Sequence, residues 1–421
     1  MVYSKKDNNY SELRIGIIFV GSIYFFSFIP FPFYCGLNYS SWFIVDNGNI
    51  GFLLLILLLF PLIYWIAGIE SKTMNFSLQF IVLFMVLFMI FLLLSLLIFF
   101  IVYESFIIQL FFILFLFMPS FYRIRTAFIF FFFSLFGSIS FILSLLIFIL
   151  SSWWISSLLI LIPFCIKIPS FPFFYWLPEV HCEANSSISL LLAGLLVKLG
   201  IFGILRFILS SFFLPLRFLS SFVLSLSLIG IILSSFSVYR SFDLKKMIAF
   251  SSILHLNLSL ASIVSMNGIG VICGIVTSIA HSFSSSSLFL FAGLVINKTY
   301  SRYWDSFFFI DQITRFLLLF FILGNLSFAV SMNFVGESLA LIGLFSIDSL
   351  WLVCYLLSIF LSTFFWFMIL NRKLPYHSCY SSLNYIEFFL LSWLLIMNYF
   401  CGVGFLLYFS LLVDDILKDD G

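Results

Sequence analysis

The chain is built from long apolar runs that are separated by short polar segments. A helix needs roughly 20 largely apolar residues to cross a bilayer, and 13 runs in the 421 residues meet this condition. Lipid offers no hydrogen bonds to open backbone, and the alternation typical of barrel strands is absent, so these runs are predicted to be helices. The predicted fold class is an all-α, polytopic membrane helix bundle. The runs lie at 14–36, 49–68, 78–99, 100–119, 126–150, 153–178, 186–209, 219–239, 243–265, 269–296, 307–347, 349–371 and 384–413.

The composition places the whole chain in the membrane. Hydrophobic residues make up 64% and charged residues only 9%, whereas soluble domains carry about 25% charged residues. The least apolar stretches, 4–11 and 371–384, are too short for an aqueous domain, so residues 1–421 are predicted to form a single membrane domain. Residues 1–12 are followed by no cleavage site, so no cleavable targeting signal is expected. A net charge of +2 with scattered basic residues excludes a nucleic-acid partner.

Ionisable side chains occur inside six of the apolar runs. Each costs about 2.5–3.5 kcal/mol at the centre of a membrane helix, so it persists only where something compensates it. One such residue can be explained by snorkelling to the interface or by a local bond between helices. Six residues of both signs in six runs indicate an ion pathway instead. The candidate relay residues are Glu104, Lys167, Lys198, His255, His281 and Glu337.

Two of these residues lie beside helix-breaking chemistry. Pro169 cannot donate a backbone hydrogen bond two residues after Lys167, and Gly336 is a weak point directly before the second glutamate. The run 307–347 is too long for one straight span, so we expect two helices or one broken helix. Two broken helices at matching places are typical of an antiporter-like inverted repeat with ion sites near mid-membrane. The predicted halves are 78–209 and 219–371, followed by a C-terminal helix at 384–413.

Other polar residues are given structural roles. The serine run Ser284–Ser287 is predicted to form hydrogen bonds between helices, because no acid or base is placed beside it in the sequence. His181 and Glu183 lie at the boundary of a run, and we interpret them as residues that position a loop, with a role in proton entry as the alternative.

Two motifs carry a family resemblance. Residues 167–184 read KIPSFPFFYWLPEVHCEA, and residues 191–200 read LLAGLLVKLG. Both resemble the signature of the antiporter-like subunits of respiratory complex I. Within that family, the Leu-Pro-x-x-His-x-Glu-Ala pattern at 177–184 and a Glu at position 337 are similar to the subunit 4 group, not to subunits 2 or 5. Further agreement comes from residues 243–255, 280–285 and 299–302, and the resemblance extends from about 104 to 372.

The chain also departs from the family pattern. Asn185 stands where the family has a proline, Ser282 replaces a glycine, and the proline pair ahead of the Asn-x-x-Gly-Glu motif is absent. The spacing of Lys167 and Lys198 agrees with the family. The family carries its glutamate in the fifth of fourteen spans, whereas Glu104 lies in the fourth run here. The resemblance therefore implies that the first family helix is missing.

The resemblance implies a role for each relay residue. Glu104 would pair with Lys167, and Lys198 would be the central relay. A nearby carboxylate favours the charged form of a buried lysine, while burial alone favours the neutral form. A change in the distance between Glu104 and Lys167 would therefore change the protonation of the lysine. The later steps would be a water bridge between His255 and His281 and onward transfer by Glu337.

The implied function is that of a core membrane-arm subunit of NADH:ubiquinone oxidoreductase, which translocates protons across the mitochondrial inner membrane. Electron transfer from NADH to ubiquinone would take place elsewhere in the complex. The seven Cys form no Cys-x-x-Cys pair and no nucleotide motif is present. We therefore expect no metal, cofactor or redox centre in this chain, with flavin and iron-sulfur clusters in other subunits.

The implied partners are neighbouring antiporter-like subunits 2 and 5, surrounded by lipid. An alternative is a stand-alone cation/proton antiporter subunit of the Mrp type. A third reading is a structural membrane subunit that has lost transport, but the complete set of buried charges argues against it.

Overall fold

The computed structural model divides the chain into two compact units, Met1–Gln109 and Leu110–Gly421, which are described separately. The residues that the structure describes are 37–38, 44–45, 47–70, 74–93, 95–117, 122–149, 153–209, 217–265, 267–303, 312–345, 349–370 and 384–419.

In the first unit, α1 (Asn47–Glu70) and α2 (Met74–Leu92) pack against each other through aromatic rings. Phe52 stacks on Phe91 with ring centroids 5.4 Å apart, and Phe60 stacks on Phe84 at 4.0 Å. Such ring pairs add specific geometry to apolar packing. The elements of this unit are β1 (Leu37–Asn38), β2 (Ile44–Val45), α1 (Asn47–Glu70), α2 (Met74–Leu92) and the larger part of α3 (Leu96–Phe117), with β1 and β2 antiparallel.

The second unit begins within α3 and contains the remaining helices. A π-helical turn, Leu192–Leu196, joins α7 (Ser186–Leu191) to α8 (Val197–Leu209). The helices are α4 (Arg123–Ile149), α5 (Trp153–Lys167), α6 (Trp176–Glu183), α7 (Ser186–Leu191), α8 (Val197–Leu209), α9 (Arg217–Arg240), α10 (Leu244–Val264), α11 (Gly268–Thr299), α12 (Gln312–Asn325), α13 (Met332–Phe345), α14 (Ser349–Leu370) and α15 (Tyr385–Asp419).

The helices α10 and α11 form the centre of the second unit. They pack against each other, and α11 also contacts α7, α13 and α15. Their polar residues are mostly buried, and the serine hydroxyls donate to carbonyls of their own helix. Ser259 donates to Leu256 O at 2.7 Å and Ser286 to Phe283 O at 3.0 Å. This local bonding satisfies hydroxyl groups that have no access to water.

The predicted all-α membrane fold is confirmed. Each of the twelve predicted runs from 49–68 to 384–413 is a helix or a broken helix, and the run 14–36 lies outside the described residues. By length and composition, eight helices in the described part of the chain can cross a bilayer, and five more are apolar but shorter. The division into halves at 78–209 and 219–371 stays a prediction.

The first predicted break is present, and the long run 307–347 is broken as expected, but the second break does not lie at Gly336, which is inside the helix α13. The first separates α5 from α6 at 168–175, and the second separates α12 from α13 at 326–331. The second break forms although the family's proline pair is absent. Here the chain turns through Ser327 and Val330, which have positive φ values of 56° and 81°. Positive φ is unusual for a non-glycine residue and strained for a β-branched one.

Candidate functional site

The first break places Lys167 at the end of α5, where it is 3% exposed. A break frees backbone carbonyls, which side chains must satisfy because lipid cannot. Trp176 Nε1–H donates to Ile166 O at 2.8 Å, and Asn257 Nδ2–H of α10 donates to Pro169 O at 3.3 Å. The lysine ammonium lies 5.5 Å from the centroid of the Phe130 ring on α4, within range of a cation–π interaction.

Lys198 is the second residue of α8 and directly follows the π-helical turn. It is 1% exposed, and its Nζ donates to Ala193 O inside that turn at 2.5 Å. π-helical turns are rare and occur frequently at functional sites. A buried lysine that is held by one backbone carbonyl has a hydrogen-bond partner in either protonation state.

The structure brings His255, His281 and Glu337 together from α10, α11 and α13. His255 Nδ1 lies 2.8 Å from Glu337 Oε1, and the side chains are 12% and 9% exposed. The two imidazole rings stack with centroids 5.0 Å apart and planes at 29°. The second unit thus holds three proton donors and acceptors in contact with one another, from His281 through His255 to Glu337.

The side chains of Asn333 and Tyr355 extend this set through hydrogen bonds, and the sequence analysis assigned a role to neither of them. Asn333 Nδ2 donates to Ser284 Oγ at 3.0 Å and to Gly324 O, across the second break, at 2.8 Å. Ser284 Oγ in turn lies 3.5 Å from His281 Nδ1. On the other side of the cluster, Tyr355 O–H donates to Glu337 Oε2 at 2.8 Å.

The prediction for the serine run was only partly right. Ser285, Ser286 and Ser287 donate to carbonyls within α11, as isolated hydroxyls in a helix commonly do. Only Ser284, among the four, has a described hydrogen bond to another helix, and there it accepts from Asn333. A sequence pattern could not have separated it from its neighbours, because the distinction depends on which helix packs beside it.

Glu104 lies on α3 in the first unit and is partly buried. Lys167 belongs to the second unit. Their predicted pairing therefore stays a prediction.

Charged residues fix α6 to neighbouring elements at one end of the second unit. Arg302 and Glu183 form a two-pronged salt bridge, with N–O distances of 2.8 and 3.3 Å. This hydrogen bonding raises the pKa of Arg302 above its ordinary value, so the guanidinium stays charged. Lys246 pairs with Glu179 at 3.0 Å. Lys245 Nζ donates at 2.5 Å to the backbone oxygen of Ala184, the residue at the C-terminal cap of α6.

His181 is buried within the same short helix. Its ring stacks on Phe289 of α11 at 4.2 Å, with planes 12° apart. This packing and the salt bridge of Glu183 agree with the loop-positioning role that the sequence suggested for both residues. In the part of the chain that the structure describes, no group of three or more His, Cys, Asp or Glu side chains is arranged to hold a metal ion.

Two broken helices with buried lysine, histidine and glutamate side chains define an antiporter-type membrane subunit. Residues 150–364 match the family described as "NADH:quinone oxidoreductase/Mrp antiporter, TM". The chain is 32% identical over 406 residues to "NADH-ubiquinone oxidoreductase chain 4" of Chondrus crispus, covering 90% of this chain and 82% of the relative. Chain 4 of Arabidopsis thaliana is 30% identical over 358 residues, covering 79% and 70%.

Solved structures share the fold. A chain of respiratory complex I from Thermus thermophilus superposes with a TM-score of 0.78 at 20% identity, covering 93% of this chain and 91% of that one. A chain of the archaeal membrane-bound sulfane sulfur reductase gives 0.78 at 14% identity, covering 95% and 89%. The chain belongs to the NADH:quinone oxidoreductase/Mrp antiporter family and, within it, to the group of NADH-ubiquinone oxidoreductase chain 4.

Proposed function

We propose that this chain is a core membrane-arm subunit of NADH:ubiquinone oxidoreductase and that it moves protons across the mitochondrial inner membrane. Electron transfer from NADH to ubiquinone drives this movement from elsewhere in the complex. Support comes from the chain 4 relatives, which cover most of the sequence. The proposed proton relay consists of Glu104, Lys167, Lys198, His255, His281 and Glu337.

The contact between His255 and Glu337 is the observation that carries the proposal. An imidazole and a carboxyl group with their reactive atoms 2.8 Å apart can exchange a proton directly. Burying this pair among apolar helices is costly, and such residues in membrane proteins mark ion or proton pathways. A purely structural subunit has no need of the pair, because apolar side chains of similar volume pack at lower cost.

Water completes the proposed route between the two histidines. Their rings face each other at 5.0 Å, so the N–H groups do not point at one another. Among the described residues, His281 Nε2 has no hydrogen-bond partner, and a bridging water would supply one. Lys198 would then exchange protons with His281, and Glu337 would pass them onward.

The proposal also assigns partners and cofactors. Neighbouring antiporter-like subunits 2 and 5 would pack against this chain within the lipid. NADH, flavin, iron-sulfur clusters and ubiquinone would be bound by other parts of the complex. This chain would thus contribute to the enzyme without a redox centre of its own.

A two-part experiment tests the proposal in a host whose gene for this subunit can be edited. Gently solubilised membranes are separated on a native gel, stained for NADH oxidation and analysed by mass spectrometry for this chain. In the second part, Lys198→Met is compared with Lys298→Met. The control removes a lysine that pairs with Glu387 at 2.6 Å, outside the relay.

We expect to find the chain in the NADH-oxidising band. The number of protons pumped per NADH oxidised should be lower in Lys198→Met and unchanged in Lys298→Met. Pumping that survives Lys198→Met in an assembled complex would remove this lysine from the pathway. If the chain instead migrates apart from NADH oxidation and its membranes exchange sodium for protons, it is an Mrp-type antiporter subunit.

A further inference from the structure

Tyr355 is a buried tyrosine that faces the relay from α14. Its side chain is fully buried, whereas the following residues Leu356 and Leu357 are 48% and 49% exposed. The tyrosine therefore lies on the inward face of a helix whose outward face is apolar. Membrane tyrosines usually lie at the interface, where the hydroxyl reaches water. A buried tyrosine needs an internal partner for its hydroxyl instead.

That partner is the carboxyl group of Glu337. The Tyr355 hydroxyl donates to Oε2 at 2.8 Å, while His255 Nδ1 lies 2.8 Å from Oε1. Oε2 thus accepts a hydrogen bond from Tyr355, whereas Oε1 lies within ion-pair distance of His255. Once Oε2 is fixed by the tyrosine, rotation about the last side-chain bond of Glu337 is blocked and Oε1 stays directed at the histidine.

We infer that Tyr355 is a positioning residue that holds Glu337 in the orientation required for proton exchange with His255. This inference rests on the proposed function. A phenol holds its proton far more tightly than a carboxyl or imidazole group does, so Tyr355 orients the carboxyl group without carrying the proton. Proton transfer is sensitive to such alignment, because a displacement of about 1 Å can cost a hundredfold in rate.

The test compares Tyr355→Phe with Tyr399→Phe in the intact, purified complex. Both changes remove one hydroxyl and keep the ring. The Tyr399 hydroxyl donates to the backbone oxygen of Phe320 at 2.9 Å, so its loss touches no ionisable group. Two quantities are measured: protons pumped per NADH oxidised in proteoliposomes, and the infrared carboxyl band of Glu337, which is assigned by its disappearance in Glu337→Gln.

We expect Tyr355→Phe to shift the Glu337 band and to lower the pumping ratio at least twofold in a fully assembled complex. Tyr399→Phe should change neither quantity. If Glu337→Gln abolishes pumping while Tyr355→Phe leaves both the band and the ratio unchanged, the inference about Tyr355 is wrong and the relay stands. If Glu337→Gln itself pumps normally, the proposed function fails at this residue.

Discussion

The close approach of α13 to α11 at Gly336 gives a sharp test of how the relay is held. A Cβ atom at Gly336 would lie 2.6 Å from Thr277 Cγ2 and 3.0 Å from both Cα and N of Thr277. The threonine methyl could rotate away, but the backbone atoms could not. Gly336→Ala must therefore push α13 away from α11, and overpacking of this kind costs about 1–3 kcal/mol.

The consequence reaches the relay because the next residue is Glu337. A shift of α13 would lengthen the 2.8 Å contact between Glu337 and His255. We expect Gly336→Ala to lower both the thermal stability of the complex and the number of protons pumped per NADH oxidised. The measurements are a thermal dissociation curve of the purified complex and a pumping assay in proteoliposomes.

Gly343→Ala is the matched control on the same helix. A Cβ atom there would lie 3.4 Å from Cα and 3.5 Å from N of Gly270, which is ordinary van der Waals contact with the same partner helix. This variant should behave like the parent protein in both assays. If Gly336→Ala and Gly343→Ala were equally harmless, close packing at Thr277 would not be what places Glu337.

Three further variants test the breaks and the end of the bundle. Val330→Gly should raise the thermal dissociation midpoint, because a φ of 81° costs a β-branched residue about 1–3 kcal/mol, and a lowered midpoint would contradict this. Trp176→Phe should lower the midpoint, because it leaves the buried Ile166 O without a hydrogen-bond donor, which costs about 1–3 kcal/mol of stability. An unchanged midpoint would show that this hydrogen bond does not stabilise the first break. Arg302→Gln should cost at most about 1 kcal/mol, less at high salt, since Arg302 is 45% exposed. Because Glu183 raises the pKa of Arg302, the stabilisation from their salt bridge is lost only above the ordinary arginine pKa. The free-energy cost of Arg302→Gln should therefore be the same at neutral and at mildly alkaline pH.

Much of the fold could be predicted because the bilayer restricts the possible structures. Apolar runs must become helices, and charges inside them must face the protein interior, so the residues from Lys167 to Glu337 stand out without any tertiary information. Pro169 likewise predicts the first break, because it removes a backbone donor. The second break lies at 326–331, ahead of the Asn-x-x-Gly-Glu motif that indicated it.

The partners of the relay could not be predicted from the sequence. Tyr355 is separated from Glu337 by the end of one helix and the start of the next, and only the packing of α13 on α14 brings them together. The same is true of Asn257, which reaches the carbonyl of Pro169 in the first break. Side-chain periodicity shows which residues share a helix face, but it does not show which helix covers that face.

The central claim is that protons pass through the buried pair of His255 and Glu337. Its most direct test is the number of protons pumped per NADH oxidised by proteoliposomes that contain the complex with Glu337→Gln. The control is Glu387→Gln, which removes a carboxylate from the ion pair with Lys298. We predict that Glu337→Gln lowers the ratio while Glu387→Gln leaves it at the parent value. An unchanged ratio in an assembled Glu337→Gln complex would contradict the claim.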